Sequence, residues 1–102
     1  MPVGTSIEIA MTHYIAIVED AGPQTAAGVW FPDLPGCFSA GDSLEDAMRN
    51  ASEALASYAE SMDSLPAPRS LAELKADPTV AADMKNYMFA VVAMPAVADA
   101  AE

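Results

Sequence analysis

A regular spacing of apolar residues between positions 44 and 62 constrains this chain more than any other feature. Apolar side chains recur there at intervals of three and four, with polar residues between them. This period predicts an amphipathic helix of about five turns that needs an apolar surface to cover it. Two overlapping residue pairs could cap its N-terminus, Asp42 with Glu45 and Ser43 with Asp46.

Four short segments have the composition of β-strands that would supply this surface. Apolar, β-branched and aromatic residues are concentrated at 13–19, 26–31, 37–41 and 87–94. Turn residues separate the first three segments, including Gly22-Pro23 and a Pro-Asp-Leu-Pro-Gly connection at 32–36. Connections this short favour an antiparallel arrangement of the strands.

A second, shorter helix is predicted between the long helix and the last strand. The two prolines in residues 65–68 end the long helix, and Ser70 with Glu73 forms a capping box that opens a helix over 71–76. The predicted order is βββα(α)β, an α+β fold with an antiparallel sheet and its helices on one face. We expect an N-terminal extension at 1–11, one domain at 12–94 and a tail at 95–102.

The charge of the chain is strongly acidic. Fifteen Asp and Glu against four Lys and Arg give a formal net charge of −11. Such a field repels phosphate backbones and attracts basic partners, so direct nucleic-acid binding is not expected. Solubility alone is the alternative explanation of the charge. Because a chain of 102 residues has a modest core, a homo-oligomer is expected.

Catalytic and metal-binding residues are scarce. The single histidine, His13, and the single cysteine, Cys37, exclude most nucleophilic schemes and any cysteine zinc cage. The acids lie at strand ends, in turns and at the helix start, so we expect no metal site, no cofactor and no enzyme activity. One unpaired cysteine and the absence of a basic leader favour the cytoplasm. The apolar run at 7–11 is too short for a membrane span.

Residues 29–47 carry a resemblance to a known family. They read Val-Trp-Phe-Pro-Asp-Leu-Pro-Gly-Cys-Phe-Ser-Ala-Gly-Asp-Ser-Leu-Glu-Asp-Ala, a string that closely resembles the HicB-type antitoxin domain. Residues 14–19 resemble the first strand of that family, and the proline-bearing residues 65–70 resemble its link, so the likeness extends over about residues 12–94. It implies a partial ribonuclease-H-like sheet, without nuclease activity because the strand-borne carboxylates are missing.

The resemblance also implies a function. HicB-type proteins typically bind and neutralise HicA, a small basic ribonuclease, so we expect an antitoxin that covers the RNA-binding surface of such a toxin. The alternative is a stand-alone HicB-like regulatory or scaffold oligomer without a cognate toxin. Many family members carry a C-terminal DNA-binding domain, whereas residues 95–102 contain no Lys or Arg. We therefore expect no DNA binding by this chain.

Two sets of residues follow from this reading. The residues expected to bind the toxin lie in the rigid turn, around the third strand and on the polar helix face: Asp33, Leu34, Ser39, Asp42, Glu53 and Glu60. For Asp33 a structural role is equally open, because turn aspartates often bond to their own backbone. The residues expected to shape the turn and anchor it to the core are Phe31, Pro32, Pro35, Gly36 and Cys37.

Overall fold

The computed structural model describes residues 12–94, so the predicted extension and tail lie outside the described residues. These residues form an α+β fold with a four-stranded antiparallel sheet, which confirms the predicted fold class. The elements in chain order are β1 (His13–Glu19), β2 (Ala27–Trp30), β3 (Phe38–Gly41), α1 (Leu44–Glu60), α2 (Leu71–Ala76), α3 (Pro78–Asn86) and β4 (Met88–Ala93).

The strands lie in the order β3-β2-β1-β4, and every neighbouring pair is antiparallel. In the middle of the sheet, Val18 of β1 lies between Val29 of β2 and Met88 of β4. The first three strands pair in chain order, in the antiparallel arrangement that their short connections predicted. β4 returns after the helices to pair with β1, so β1 and β2 are the inner strands and β3 and β4 the outer ones.

Helix α1 covers one face of the sheet. Ala47, Ala51 and Leu55 are fully buried against the face that carries Tyr14 and Val29. The two alanines are small enough to let the helix axis approach the strands closely. Its N-terminus is capped by Ser43, whose hydroxyl accepts a hydrogen bond from Asp46 N at 3.1 Å, so the structure selects one of the two candidate caps.

Helices α2 and α3 lie against the opposite face. Leu74 of α2 and Val80 of α3 pack on Ile17, which is fully buried on the side of β1 that faces away from α1. The expectation that the helices share one face therefore needs correction. Successive residues of a strand point to opposite faces, and β1 is apolar on both, so this inner strand requires cover on each side.

Helix α3 was not expected from the sequence, which predicted a single short helix over 71–76 before the last strand. In the structure Asp77 caps a new helix, and its carboxylate accepts a hydrogen bond from Thr79 N at 3.0 Å. Pro78 occupies the first helical position, where the N–H has no intrahelical partner and its loss costs nothing. The predicted capping box of α2 is present in both directions, between Ser70 and Glu73.

Candidate functional site

The outer face of α1 is the most strongly charged surface among the described residues. Because Ala47, Ala51 and Leu55 point into the core, the opposite side of the helix is held toward solvent, and Glu53 and Glu60 are exposed there. Residues 42–63 contain six carboxylates and one guanidinium, a formal charge of −5. Residues 64–94 contain three acids and three bases and are formally neutral. The acidity of the domain is therefore concentrated along one helix.

The one cation of this helix is tied to a neighbouring acid. Arg49 Nη1 lies 2.8 Å from Asp46 Oδ1, and this hydrogen bond is the main reason that the pKa of Asp46 lies below its ordinary value. Both side chains are well exposed, so the pair contributes little to stability. It leaves Glu45, Glu53 and Glu60 on α1 without an ion-pair partner among the described residues.

Ser39 and Asp42 flank the start of this helix but face different surroundings. The Ser39 hydroxyl donates a hydrogen bond to Ala47 O at 2.9 Å, which ties β3 to α1. Gly41 lies so close to the helix that an added Cβ would be 2.6 Å from Ala47 N. Asp42 is exposed just before the cap, where its charge adds to the acidic face. Asp42 therefore belongs to that surface, while Ser39 helps to hold the helix in place.

Asp33 lies in a network of ion pairs away from the outer face of α1. Its side chain is 5% exposed and accepts hydrogen bonds from Arg69 N at 2.8 Å and Arg69 Nε at 2.6 Å. Arg69 Nη1 also donates to Asp77 Oδ2 at 3.1 Å. These bonds raise the pKa of Arg69, and the Arg69 bond lowers that of Asp77. Asp33 thus links the turn after β2 to the segment that enters α2 and α3.

The rest of the turn is built around buried side chains. Leu34, Phe31 and Cys37 are buried, so this conformation leaves no surface of Leu34 for a partner. Two backbone hydrogen bonds close the turn, Leu34 N to Phe31 O at 3.0 Å and Cys37 N to Leu34 O at 2.9 Å. Gly36 has φ 89°, a conformation that favours glycine. Burial raises the pKa of the Cys37 thiol, which keeps it in its unreactive protonated form.

The two prolines of the turn have different surroundings. Pro32 is half-buried and Pro35 is exposed. Pro35 O accepts a hydrogen bond from the Tyr58 hydroxyl at 2.9 Å, which joins the turn to the C-terminal half of α1. Together with the buried side chains, this contact gives the motif an internal role in positioning β3 beside α1.

An exposed aromatic side chain on the strand next to the acidic helix was not anticipated. Phe38, the first residue of β3, is 68% exposed. It borders an open groove between β3 and α1 that Ala54, Ser57 and Tyr58 also line. The period of two along the strand could have identified it, because Cys37 and Ser39 point inward and Phe38 must then point away. Its ring therefore lies on the same face of the sheet as its cross-strand partner Trp30, opposite to α1.

Neither a metal centre nor a membrane-spanning helix is found in the described part of the chain. Between residues 12 and 94, His, Cys, Asp and Glu form no group of three or more that could hold a metal ion. None of the helices there is long and apolar enough to cross a bilayer. His13 is exposed at the start of β1. The acidic face of α1 is therefore the strongest candidate site, and its chemistry is that of recognition.

Comparisons with known proteins find an antitoxin family and solved structures that resemble this chain. Residues 14–101 match the family model described as HicB_like antitoxin of bacterial toxin-antitoxin system. The crystal structure of the N-terminal domain of Burkholderia pseudomallei antitoxin HicB is similar, with a TM-score of 0.64 and 27% identity over 79% of this chain and 95% of that one. The structure of the Burkholderia pseudomallei antitoxin HicB has a TM-score of 0.66 and 25% identity, over 84% of this chain and 65% of that one.

A phage protein shares a shorter segment. An uncharacterized 14.9 kDa protein from the rep-hol intergenic region of Haemophilus phage HP1 is 61% identical over 31 residues, which are 30% of this chain and 23% of the phage protein. The match therefore spans less than a quarter of the length of that relative. It extends the sequence likeness to a phage-encoded protein without adding a function.

Proposed function

This chain belongs to the HicB-like antitoxin family of bacterial toxin–antitoxin systems, and on that premise we propose that it neutralises a small basic ribonuclease of the HicA type. In this proposal the outer face of α1 covers the RNA-binding surface of the toxin. The contact residues are the exposed acids Asp42, Glu53 and Glu60, and a partner that also wraps around the β3 edge of the sheet would reach Phe38 as an apolar anchor.

The observation that carries the proposal is the concentration of charge on α1. A surface that binds RNA is basic, and a formal charge of −5 along residues 42–63 is complementary to it. Fields of opposite sign accelerate diffusional encounter and orient the partners before contact. Solubility alone would be served by acids spread over the whole surface, whereas residues 64–94 are formally neutral.

Phe38 supplies the apolar contact that charge alone lacks. Exposed ion pairs are screened by salt and contribute little to affinity, so acidic residues chiefly determine the association rate. An aromatic side chain buried at the centre of an interface contributes more of the binding energy. At 68% exposure, Phe38 has most of its ring available for this purpose. The turn after β2 then has a supporting role, since Asp33 and Leu34 hold the strand that presents Phe38.

Further parts of the proposal concern location, catalysis and nucleic acid. The antitoxin acts in the cytoplasm, where a ribonuclease toxin meets its RNA substrates. It binds without catalysing a reaction, since its candidate site offers carboxylates and an aromatic ring but no paired acid and base. Direct contact with nucleic acid is disfavoured by a net charge of −11.

A charge-reversal experiment tests the proposal. The chain is co-expressed with the product of the neighbouring small basic open reading frame, and binding kinetics are measured at several salt concentrations. Glu53→Lys with Glu60→Lys adds two charges at each position and changes the charge of residues 42–63 from −5 to −1. We expect the association rate to fall about tenfold or more, with a weaker dependence on salt.

The control variant carries the same total charge change elsewhere. Asp20→Lys with Asp83→Lys alters the β1–β2 turn and α3, and its association rate should stay within about twofold of the wild type. Equal losses of association rate in both variants would mean that only the net charge of the chain matters, which contradicts a binding site on α1.

If no adjacent basic open reading frame exists and no basic protein co-purifies with the chain, the antitoxin role fails. The stand-alone oligomer is then the better interpretation.

A further inference from the structure

The sheet separates two apolar cores of unequal size among residues 12–94. The main core lies between the sheet and α1 and includes Tyr14 and Leu55. The outer core lies on the opposite face, where Ile17 of β1 packs on Leu74 of α2 and Val80 of α3. Because these three are the buried residues of the outer core, little apolar area holds α2 and α3 to the sheet.

Residues 69–87, which contain α2 and α3, lie between two segments that are fixed to the main core. Before them, Leu65 packs on that core, and Pro66 O accepts a hydrogen bond from the Tyr14 hydroxyl. After them, β4 pairs with β1 along its whole length, and Val92 is buried in the main core. Residues 69–87, which we call the α2–α3 lid, can therefore leave the sheet while both of their ends stay in place.

Arg69 provides the polar contact between the lid and the rest of the fold. In the described part of the chain, the hydrogen bonds that cross this boundary run from Arg69 N and Arg69 Nε to Asp33. The bond from Arg69 Nη1 to Asp77 lies within the lid and joins its start to the cap of α3. Tyr87 adds an edge-to-face contact with Trp30, with the ring centroids 5.3 Å apart.

The lid has little stability of its own away from the sheet. Helices α2 and α3 contain six and nine residues, and isolated helices of this length are marginal in water. They pack on each other, so contacts between them are lost when either one unfolds. We therefore expect the two helices to detach and unfold together.

The lid covers the middle of an apolar row that crosses the outer face of the sheet. The strand pairing places Trp30 between Phe38 and Ile17. It places Ile17 in turn beside Phe89. Ile17 is fully buried beneath the lid, whereas at the two ends of the row Phe38 is 68% exposed and Phe89 44%. Removal of the lid joins these two exposed patches into one apolar surface across all four strands.

We propose that the α2–α3 lid opens as one unit while the sheet and α1 remain folded, and that this opening exposes the apolar row. Proteins open first in segments that few buried apolar contacts hold in place. The lid is such a segment, because three buried residues and the bonds of Arg69 to Asp33 attach it. The opening follows from the division of the core and does not depend on the proposed antitoxin role.

Native-state hydrogen exchange of the full chain at several urea concentrations tests the inference. The amides of Leu74 and Ala81, which are hydrogen-bonded within α2 and α3, should exchange through one shared opening with the same dependence on urea. The amides of β1 should exchange at least about tenfold more slowly. Their exchange should also depend more steeply on urea, because global unfolding exposes more surface than the opening of the lid.

Two matched variants, each of which truncates a fully buried leucine, separate the lid from the main core. Leu55→Ala weakens the main core, which stays folded while the lid is open. Amides of β1 should then exchange about thirtyfold faster or more, and those of the lid within about twofold of the wild type. Leu74→Ala removes a contact that both openings break, so the amides of the lid and of β1 should accelerate by a similar factor. Leu55→Met should give the same pattern as Leu55→Ala at a smaller magnitude if the alanine variant does not fold.

Trypsin gives a second readout, because the four Lys and Arg residues of the chain divide between the lid and α1. Lys75 and Lys85 lie in the helices of the lid, Arg69 lies at its start, and Arg49 lies in α1. Cleavage rates, each relative to that of the urea-unfolded chain, should be higher at Lys75 and Lys85 than at Arg49. Leu55→Ala should accelerate the cut at Arg49 alone.

Two results overturn the inference. One is an equal acceleration of the lid and β1 amides by Leu55→Ala or Leu55→Met, since the fold would then open as a single unit. The other is exchange at Leu74 and Ala81 without a shared dependence on urea, since the two helices would then fray separately.

Discussion

Replacing Asp33 by alanine separates a structural role of this residue from a role in toxin binding. The Asp33 carboxylate is 5% exposed and accepts two hydrogen bonds from a residue 36 positions away, at 2.8 Å from Arg69 N and 2.6 Å from Arg69 Nε. Alanine removes both bonds and leaves the Arg69 backbone N–H without this acceptor. The change therefore acts on the connection between the turn after β2 and the entry to α2.

The expected loss of stability in Asp33→Ala follows from the two hydrogen bonds that it removes. A hydrogen bond from the backbone to a charged acceptor contributes about 2 kcal/mol. The bond from the guanidinium contributes about 1 kcal/mol or less, because Arg69 is 36% exposed and solvent screens the pair. We expect a loss of about 3 kcal/mol in the free energy of unfolding, and a fall in Tm on the order of 15 °C. Asp33→Asn, which keeps one acceptor, should lose about half as much.

Urea denaturation followed by circular dichroism measures this loss, and Arg69→Ala with the double variant completes a mutant cycle. The two single changes should be strongly non-additive, because each removes the same interaction. An Asp33→Ala variant within about 0.5 kcal/mol of the wild type would refute the structural role. If that variant also failed to bind the basic partner, Asp33 would be a contact residue after all.

Two other predictions concern the close approach of α1 and the ion pairs at α3. Gly41→Ala places a Cβ 2.6 Å from Ala47 N and should lower the free energy of unfolding by about 1–3 kcal/mol. Gly28→Ala is the control, because the nearest atom to its added Cβ is 4.0 Å away, and it should lower the Tm less. Equal Tm values for the two variants in thermal denaturation would contradict this prediction. The hydrogen bond from Arg69 lowers the pKa of Asp77 in the folded protein. Ionised Asp77 therefore stabilises the fold at pH values above its ordinary pKa of about 3.9, and this stabilisation is lost as the pH falls through the folded-state pKa. Asp77→Asn, which keeps a capping side chain, should therefore lower the urea midpoint more at about pH 7 than at about pH 2, and a constant difference would disprove the linkage.

Helices and strands that depend on residues close together in the chain were predictable from the sequence. The run of β-branched and aromatic residues at 13–19 predicted β1, and the structure has the strand at His13–Glu19. The apolar period of α1 and the Ser70–Glu73 capping box were identified correctly because both depend on residues three or four positions apart. Helix α3 was missed because Pro78 ends one helix and begins the next, and only its surroundings decide which role it has.

Residues that act across the fold could not be assigned in this way. The period of α1 determines that Glu53 and Glu60 face water, since its apolar stripe must pack on something. No pattern in the chain indicates that Asp33 meets Arg69, or that Leu74 and Val80 are the residues that cover Ile17. The exposure of β4 likewise depends on which strand lies at the edge, and that is decided when α2 and α3 carry the chain back to β1. The sequence by itself determined most of the helices and strands and the acidic face of α1. The tertiary structure decided which side chains remain exposed to a binding partner, because burial results from contacts between segments that are distant in the chain.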